Sequence, residues 1–272
     1  MQRTFMRYSN LHTHTIYSDG KNTPREVVEA AIAKNMVSLG FSDHSFTDFD
    51  LRYCIPKEKL GEYISEVRAL KKEYEGQIEI YLGYEQDGFA VIEDRSVFDY
   101  IIGDTHYVRT DYGPRDVDHS PENFLDTLNN CFGGDAFAFA KAYYELYAER
   151  IPLLRPDILG HFDLVTKFGY IDEEDPRYRA LALEVLDACL EICPLVEMNT
   201  GAISRGYRKQ PYPAPFILDR IKEKGGKIIL TSDCHNKDYL TCYFDECLDI
   251  LRSRSFDSVV QLISNKFTEV EI

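Results

Sequence analysis

The sequence alternates short apolar runs with longer segments of helical periodicity, and this alternation is the strongest constraint on its fold. The apolar runs are rich in β-branched residues, which is typical of buried strands. Seven strands are predicted, at residues 8–11, 37–41, 78–82, 100–102, 158–159, 195–198 and 227–230. Helices are predicted between them, at residues 24–34, 56–74, 121–131, 135–149, 176–192 and 213–224. The alternation indicates an α/β fold built on a parallel sheet.

Seven strand–helix units favour a (β/α)7 barrel, although an open doubly wound sheet fits the same pattern. The 272 residues contain no repeat, low-complexity segment or linker. We therefore expect residues 1–272 to form one domain, as α/β barrels of about 250 residues commonly do. In either architecture, ligands bind beyond the carboxyl ends of the strands. Residues that carry chemistry should cluster there.

Six of the seven histidines stand at the carboxyl ends of predicted strands, and the exception, His119, lies in a loop. His12 and His14 end the first strand, where alternate residues point to one face and can share a metal ion. The later strands end in His44, His106, His161 and His235. A lone histidine in a barrel is usually structural, but packing alone does not explain six at strand ends.

Carboxylates accompany the histidines at Asp19, Glu85 and Asp233. Together they exceed the roughly four ligands that one zinc ion takes, so two or three divalent ions are expected. Mixed nitrogen and oxygen ligands suit zinc, manganese and iron. Asp43 lies on the opposite strand face from His44, so we expect it either to orient an imidazole or to cap a turn.

The ordered motifs H-x-H-x4-D, S-D-H, a glutamate after the third strand, G-x-x-H, G-H-x-D and S-D-x-H resemble the polymerase and histidinol phosphatase (PHP) superfamily. The resemblance extends over residues 11–235. The segment 197–200 (EMNT), followed by Arg205 and Tyr212-Pro213, is similar to the monofunctional histidinol-phosphatase branch. This resemblance implies a distorted seven-stranded barrel with a trinuclear metal centre.

Carried over by position, the resemblance implies three metal ions that share Glu85 between two of them. The ligand sets are His12, His14, Glu85 and Asp233; Glu85, His106 and His161; and Asp19, His44 and His235. Two departures from the family pattern occur. Asp104-Thr105 replaces the small uncharged residues that the family more often has before this histidine, and the interval from Asn199 to Arg205 is a residue longer than usual.

The activity that the resemblance implies is hydrolysis of a small phosphate monoester, L-histidinol phosphate, in histidine biosynthesis. Cations of such a centre lower the pKa of a shared water and neutralise charge that develops at phosphorus. The catalytic residues expected on this basis are Glu85, Asp233 and His235. The leaving alkoxide would receive its proton from Asp233 or from a histidine outside the ligand set.

Substrate phosphate also needs a fork-shaped donor, which a guanidinium supplies. Arg205, on the loop after the sixth strand, is the first candidate for this role. Arg208 and Asn199 are the further candidates for substrate binding. A solvated loop position is the competing interpretation for either arginine.

Other functions fit parts of the pattern. A PHP phosphoesterase could act on another small ester. Amidohydrolase barrels also begin with H-x-H and end with a strand-terminal aspartate, but they leave His44 and Glu85 without a role and use a strand-end lysine that this sequence lacks. A non-catalytic, metal-stabilised scaffold would be expected to have lost ligands, and none is lost here.

The net charge of −15, from 31 basic and 46 acidic residues, argues against nucleic acid as a partner, because a phosphate backbone requires clustered lysine and arginine. No apolar run is long enough for a membrane span, and the N-terminus lacks the pattern of a signal peptide. The oligomeric state is left open.

The seven cysteines form no C-x-x-C pair and are expected to stay reduced, which indicates a cytoplasmic protein. Strand alternation directs Cys234 away from the metals. Cys189 and Cys193 share a helical face and are expected to pack in the core.

Overall fold

The structure is a computed structural model that describes residues 6–90 and 94–272. Its strands are β1 (Ser9–Asn10), β2 (Ser38–Phe41), β3 (Glu79–Asp87), β4 (Tyr100–Asp104), β5 (Tyr107–Thr110), β6 (Gly113–Asp116), β7 (Ile158–Leu159), β8 (Leu195–Asn199), β9 (Lys227–Thr231), β10 (Ser258–Ile263) and β11 (Lys266–Glu271). Its α-helices are α1 (Pro24–Ala33), α2 (Leu60–Glu73), α3 (Pro121–Phe132), α4 (Ala136–Leu154), α5 (Pro176–Leu190), α6 (Gly201–Ser204), α7 (Pro215–Glu223) and α8 (Phe244–Ser253).

The main sheet curls into a distorted barrel. Its strand order is β1-β2-β3-β4-β7-β8-β9-β10-β11, with parallel pairing from β1 to β10 and antiparallel pairing of β10 with β11. The segments after β1 and β9 meet, because His14 N donates to Cys234 O at 2.9 Å and Cys234 N donates to His12 O at 3.0 Å. Seven parallel strands therefore close into a ring at their carboxyl ends, which confirms the predicted fold class.

All seven predicted strands are present, and β3 continues to Asp87, so Glu85 lies within the strand instead of after it. The helix predicted from residue 213 begins at Pro215, because Tyr212 instead pairs with Asn199 through two backbone hydrogen bonds of 2.9 Å. The β5–β6 hairpin and the elements α8, β10 and β11 were not among the predicted elements. Both β5 and β6 are short, and β6 is not buried, so they lack the apolar run that marks the barrel strands.

Helices cover the outer face of the sheet, and four of them, α1, α3, α4 and α5, begin at side-chain caps. Thr23 and Glu26 form a capping box at the start of α1, with Pro24 in the first turn. Proline also opens α3, α5 and α7. Among the described residues, none of the helices is both long and apolar enough to cross a bilayer.

Tyr100 fills the barrel interior beneath the strand ends. Its ring lies over Gly83 in β3 and reaches Gly40 in β2, and its hydroxyl donates to Leu11 O and to Phe41 O, the latter at 3.2 Å. Tyr100 is 1% exposed. This one side chain therefore ties four adjacent strands together, and it fits only because glycine occupies positions 40 and 83.

We expect Gly83→Ala to destabilise the fold, because the new methyl group would collide with the Tyr100 ring. Overpacking of this kind costs about 1–3 kcal/mol of unfolding free energy. Urea unfolding monitored by circular dichroism measures the change. Gly61→Ala is the matched control: this glycine lies in α2 with no atom near its missing Cβ, and alanine there should raise stability by up to about 1 kcal/mol. Equal stabilities of the two variants would contradict the prediction.

Candidate metal centre

The barrel strands bring all nine predicted metal ligands together at their carboxyl ends, in overlapping groups. The groups are His14, Asp19, His44 and His235; Glu85, Asp104, His106 and His161; His12, His161 and Asp233; and His12, His14 and Glu85. Within each group, the potential ligand atoms all lie within 4.8 Å of one another. The structure therefore brings together every one of the nine residues, and Asp104 joins them.

Glu85 is the centre of this arrangement. Its carboxylate lies between five imidazoles, at nitrogen–oxygen distances of 3.0 Å to His12, 3.5 Å to His14, 2.7 Å to His44, 3.6 Å to His106 and 3.0 Å to His161. Glu85 is 1% exposed. Burial raises the pKa of this carboxyl, but the charges of His12 and His44 outweigh burial and hold the pKa well below its ordinary value.

Carboxylates and carbonyls outside the centre orient the imidazoles. His12 Nδ1 lies 2.8 Å from Glu197 Oε2, His106 Nδ1 lies 3.4 Å from Asp87 Oδ2, and His235 Nδ1 lies 2.9 Å from the carbonyl oxygen of Asp233. In each case the Nε2 atom is left to face the other ligands. Histidines that bind metals are held in this way, with the second ring nitrogen fixed by an oxygen.

Several ligand-type atoms are buried without a hydrogen-bond partner among the described residues. They are His12 Nε2, both ring nitrogens of His14, His161 Nδ1, Glu85 Oε2 and both carboxylate oxygens of Asp104. Burial, together with His235 and His44, lowers the pKa of His14 to about 3, so this ring is neutral, as metal ligation requires. The residues present therefore fit divalent metal ions, since a cation would satisfy these atoms.

Asp19 and His235 form the outer edge of the centre, where they face the cavity. Asp19 lies 3.1 Å from His235 Nε2 and 3.7 Å from His44 Nε2. Burial raises the pKa of Asp19, but the neighbouring histidines, His235 first, hold it well below its ordinary value. The Asp19 side chain is 32% exposed, so a substrate can approach this edge from solvent.

Asp43 caps a turn and does not orient an imidazole, which decides between the two roles expected for it. Its carboxylate accepts hydrogen bonds from Thr15 N at 2.7 Å, from Thr15 Oγ1 and from Ser18 Oγ at 2.5 Å. These contacts fix the loop that carries Asp19. Cys234 faces away from the ligands and donates to Asn236 O at 2.9 Å, as strand alternation predicts.

A cavity of about 310 Å³ opens over the ligands. Arg205 lies on its wall, where Nη2 donates to Asp233 Oδ2 at 2.8 Å and Nη1 lies 3.0 Å from His235 Nδ1. A Cβ atom at Gly201 would lie 2.7 Å from Asp233 Oδ2, so glycine leaves the room that this ion pair needs. Lys167 also lines the cavity and donates to Asp118 Oδ2 at 3.0 Å.

The structure places two of the predicted substrate-binding residues outside the cavity lining. Arg208 donates to Thr166 O at 3.2 Å and to Glu173 Oε1 at 3.0 Å, and its guanidinium stacks on Tyr212. Asn199 is fully buried and holds Glu197 Oε1 and Gly201 N, each at 2.8 Å. Both side chains are occupied by structural contacts, because each stabilises the loop after β8.

Three site residues were not among those predicted: Glu197, Asp104 and Lys167. Glu197 binds His12 Nδ1 and also accepts from His161 N at 2.5 Å. Glu197 and Asn199 are alternate residues of one strand, so their side chains lie on the same face. This periodicity could have identified Glu197 as a site residue. Asp104 precedes His106 by two residues, the spacing that pairs His12 with His14. Lys167 lies in an irregular segment, and its approach to the site depends on tertiary packing.

Comparisons with known proteins agree with this geometry. The model of the PHP domain family matches residues 10–201. A protein of Deinococcus radiodurans, named a probable histidinol-phosphatase, is 31% identical over 258 residues, which cover 90% of this chain and 92% of that protein. The histidinol-phosphatase of Bacillus subtilis is 28% identical over 252 residues, which cover 84% of this chain and 93% of that protein.

Among solved structures, the histidinol phosphate phosphatase of Lactococcus lactis, complexed with zinc, L-histidinol and phosphate, superposes with a TM-score of 0.69. The match covers 96% of this chain and 99% of that chain at 20% identity, and it supports the barrel fold. The family model spans most of the chain, and the curated relatives match it over nearly their whole length. The chain therefore belongs to the PHP domain family, in its histidinol-phosphatase branch.

Proposed function

We propose that this protein is a divalent-metal-dependent phosphomonoesterase that hydrolyses L-histidinol phosphate to L-histidinol and phosphate in histidine biosynthesis. The observation that carries the proposal is the convergence of nine ligand side chains, six of which line a cavity whose wall also contains Arg205. The names of the relatives support the choice of substrate. The chemistry of the site supports the reaction class.

The residues that would hold the metal ions form three sets around Glu85. We assign His12, His14, Glu85 and Asp233 to one ion, Glu85, His106 and His161 to a second, and Asp19, His44 and His235 to a third. Divalent cations in these positions supply charge that neutralises phosphoryl oxygens and lowers the pKa of water at neutral pH. Zinc, manganese and iron all suit this mixture of imidazole and carboxylate ligands.

Arg205 is the proposed phosphate ligand. Its guanidinium is partly buried beside Asp233, and burial lowers its pKa, but the Asp233 carboxylate outweighs burial and keeps the group charged. A charged planar fork at the cavity wall can donate two parallel hydrogen bonds to phosphate. The carboxylates of Glu85 and Asp233 keep the imidazoles of His12 and His14 in position. His235 lies at the cavity, where the substrate would enter.

The rest of the cavity suits a small substrate that carries both charges. Its volume of about 310 Å³ is that of a small-molecule site. Away from Arg205, the wall contains Asp50, Asp116 and Asp118, together with the phenol of Tyr107. Arg52, which pairs with Asp50 and Asp116, and Lys167, which pairs with Asp118, also line the cavity. This wall therefore offers groups of both signs to a small substrate that carries an ammonium group and a phosphate.

The cysteines support the expected cytoplasmic location. All seven are free thiols in the structure, and five of them are buried. Cys189 and Cys193 pack in the main core, as expected. Free thiols persist where the surroundings are reducing.

We expect chelation to abolish hydrolysis of histidinol phosphate, because no side chain of the ligand set can replace the positive charge of the metal ions. Protein stripped with EDTA and dialysed should lose at least about 100-fold in kcat/KM, and added Zn²⁺, Mn²⁺ or Fe²⁺ should restore it. Phosphate release measures the activity. Asp233→Ala should show the same loss without metal removal.

A panel of other phosphate monoesters tests the substrate separately. If a different monoester is hydrolysed faster than histidinol phosphate, the substrate is wrong and the reaction class stands. If the metal-loaded protein hydrolyses amide or lactone substrates but no monoester, the reaction class itself is wrong.

We expect Arg205→Ala to lower kcat/KM roughly 10- to 150-fold, because a hydrogen bond to a charged group contributes about 1.5–3 kcal/mol. Inhibition by inorganic phosphate should weaken in parallel. Arg208→Ala is the matched control, since Arg208 contacts Thr166 and Glu173 outside the cavity. It should lower the melting temperature while leaving phosphate inhibition within about threefold of the wild type. The reverse order of the two arginines would contradict the assignment.

We expect Glu197→Gln to weaken metal binding about 10- to 100-fold, the usual effect of removing a carboxylate that orients a ligating histidine. The amide keeps the volume of the side chain but lacks the charge that holds His12 Nδ1. Metal affinity is measured by competition with a chromophoric chelator. Unchanged affinity would show that Glu197 only supports the fold.

A further inference from the structure

Asp104 is a buried carboxylate at the metal centre for which the assigned ligand sets have no role. It is the last residue of β4, between β3, which carries Glu85, and β7, which precedes His161. Its backbone is fixed by Gly88 N, which donates to Asp104 O at 2.9 Å. Its exposed fraction is 0%. The side chain therefore has a defined position with no access to solvent.

The Asp104 carboxylate belongs to the ligand group around Glu85. Its Oδ2 is 3.8 Å from His161 Nε2, and the ligand atoms of Glu85, Asp104, His106 and His161 all lie within 4.8 Å of one another. Glu85 Oε1 is 3.0 Å from the same His161 nitrogen. Ligand atoms about 2.1 Å from one zinc ion in a tetrahedral arrangement lie about 3.4 Å from each other, so these spacings suit a shared cation.

Both oxygens of Asp104 lack a hydrogen-bond partner among the described residues. The space for the side chain is made by Gly160, where a Cβ atom would lie 3.0 Å from Asp104 Oδ2. Glu85, whose ligand oxygen lies within 4.8 Å of that of Asp104, repels a second negative charge unless a cation lies between the two carboxylates. An unpaired carboxylate in this position therefore points to a positive ion as its partner.

We propose that Asp104 is a metal ligand, and that the cation it binds has four protein ligands: Glu85, Asp104, His106 and His161. The inference rests on the metal centre of the proposed function and adds a residue to it. Two carboxylates and two imidazoles would supply the four protein donors that a tetrahedral zinc site takes. This ion is then held more tightly than an ion with three protein ligands.

The competing role for Asp104 is that of a neutral carboxylic acid that donates its proton to Glu85. The two roles differ in what an amide does at this position. Asparagine has nearly the same shape and can donate a hydrogen bond, but it is a poor replacement for a charged ligand. Asp104→Asn therefore separates them.

The test compares metal binding by the full-length wild type and Asp104→Asn, using Zn²⁺ and Mn²⁺ as probes. Metal-free protein is titrated by calorimetry, and the bound metal is counted by elemental analysis after dialysis. We expect the variant to lose one equivalent, or to bind one equivalent at least about 100-fold more weakly. The same number of equivalents with affinities within about threefold would overturn the inference.

Thermal unfolding gives a second readout that needs no substrate. Asp104→Asn removes an unpaired buried carboxylate, so the metal-free variant should melt at or above the temperature of the metal-free wild type. The increase in melting temperature on adding Zn²⁺ should be smaller in the variant. An equal increase in both proteins would contradict ligation by Asp104.

Asp163→Asn is the matched control. Asp163 is also fully buried at this end of the barrel and has one unpartnered oxygen, but it belongs to none of the ligand groups. Its metal binding should equal that of the wild type. If the wild type itself binds no metal, the proposed function fails; if the wild type and Asp104→Asn bind metal equally, only the role of Asp104 fails.

Discussion

A buried carboxylate among five imidazoles is the constraint on which this structure depends. Glu85 sits inside the barrel with almost no contact with water, and the surrounding histidines come from four different strand ends. Neither the carboxylate nor the imidazoles could occupy these positions alone without a large desolvation cost. The ring must close, with His14 N bonded to Cys234 O, for the charges to compensate one another. The closed barrel and the metal centre therefore depend on the same balance of charges.

Much of the fold and of the centre was predictable because both depend on local periodicity. The seven strands are recognised from their apolar runs, and the alternation of residues along the extended chain directs His12 and His14 to one side. Asp233 lies beyond the end of β9 with a φ of 46°, so alternation does not explain why it meets His235. Parallel strands then bring their carboxyl ends to a common edge, so residues far apart in the chain meet. The elements α8 and β10 continue the alternation of strand and helix after the seventh strand, and β10 pairs in parallel with β9, so the missed C-terminal elements are an incomplete application of the same pattern.

Residues whose role depends on loop conformation were harder to place. At the end of β8, the Asn199 side chain forms hydrogen bonds with Glu197 and Gly201. Of the three predicted substrate-binding residues in this region, only Arg205 lines the cavity. Arg208, three residues later, is drawn to Thr166 and Glu173 instead. Sequence spacing carries no information about which of two arginines in a turn faces inward. Lys167 also lies in an irregular segment, so only the three-dimensional structure shows that it lines the cavity.

The β5–β6 hairpin shapes the cavity without supplying a metal-ligand candidate. It contributes Tyr107 and Asp116 to the cavity wall, yet none of the metal-ligand groups contains a residue of this hairpin. Insertions or replacements in the hairpin can thus reshape the cavity while the barrel keeps its ligands in register. A barrel built in this way can acquire new substrates during evolution by changing one peripheral element, without having to rebuild its reaction centre.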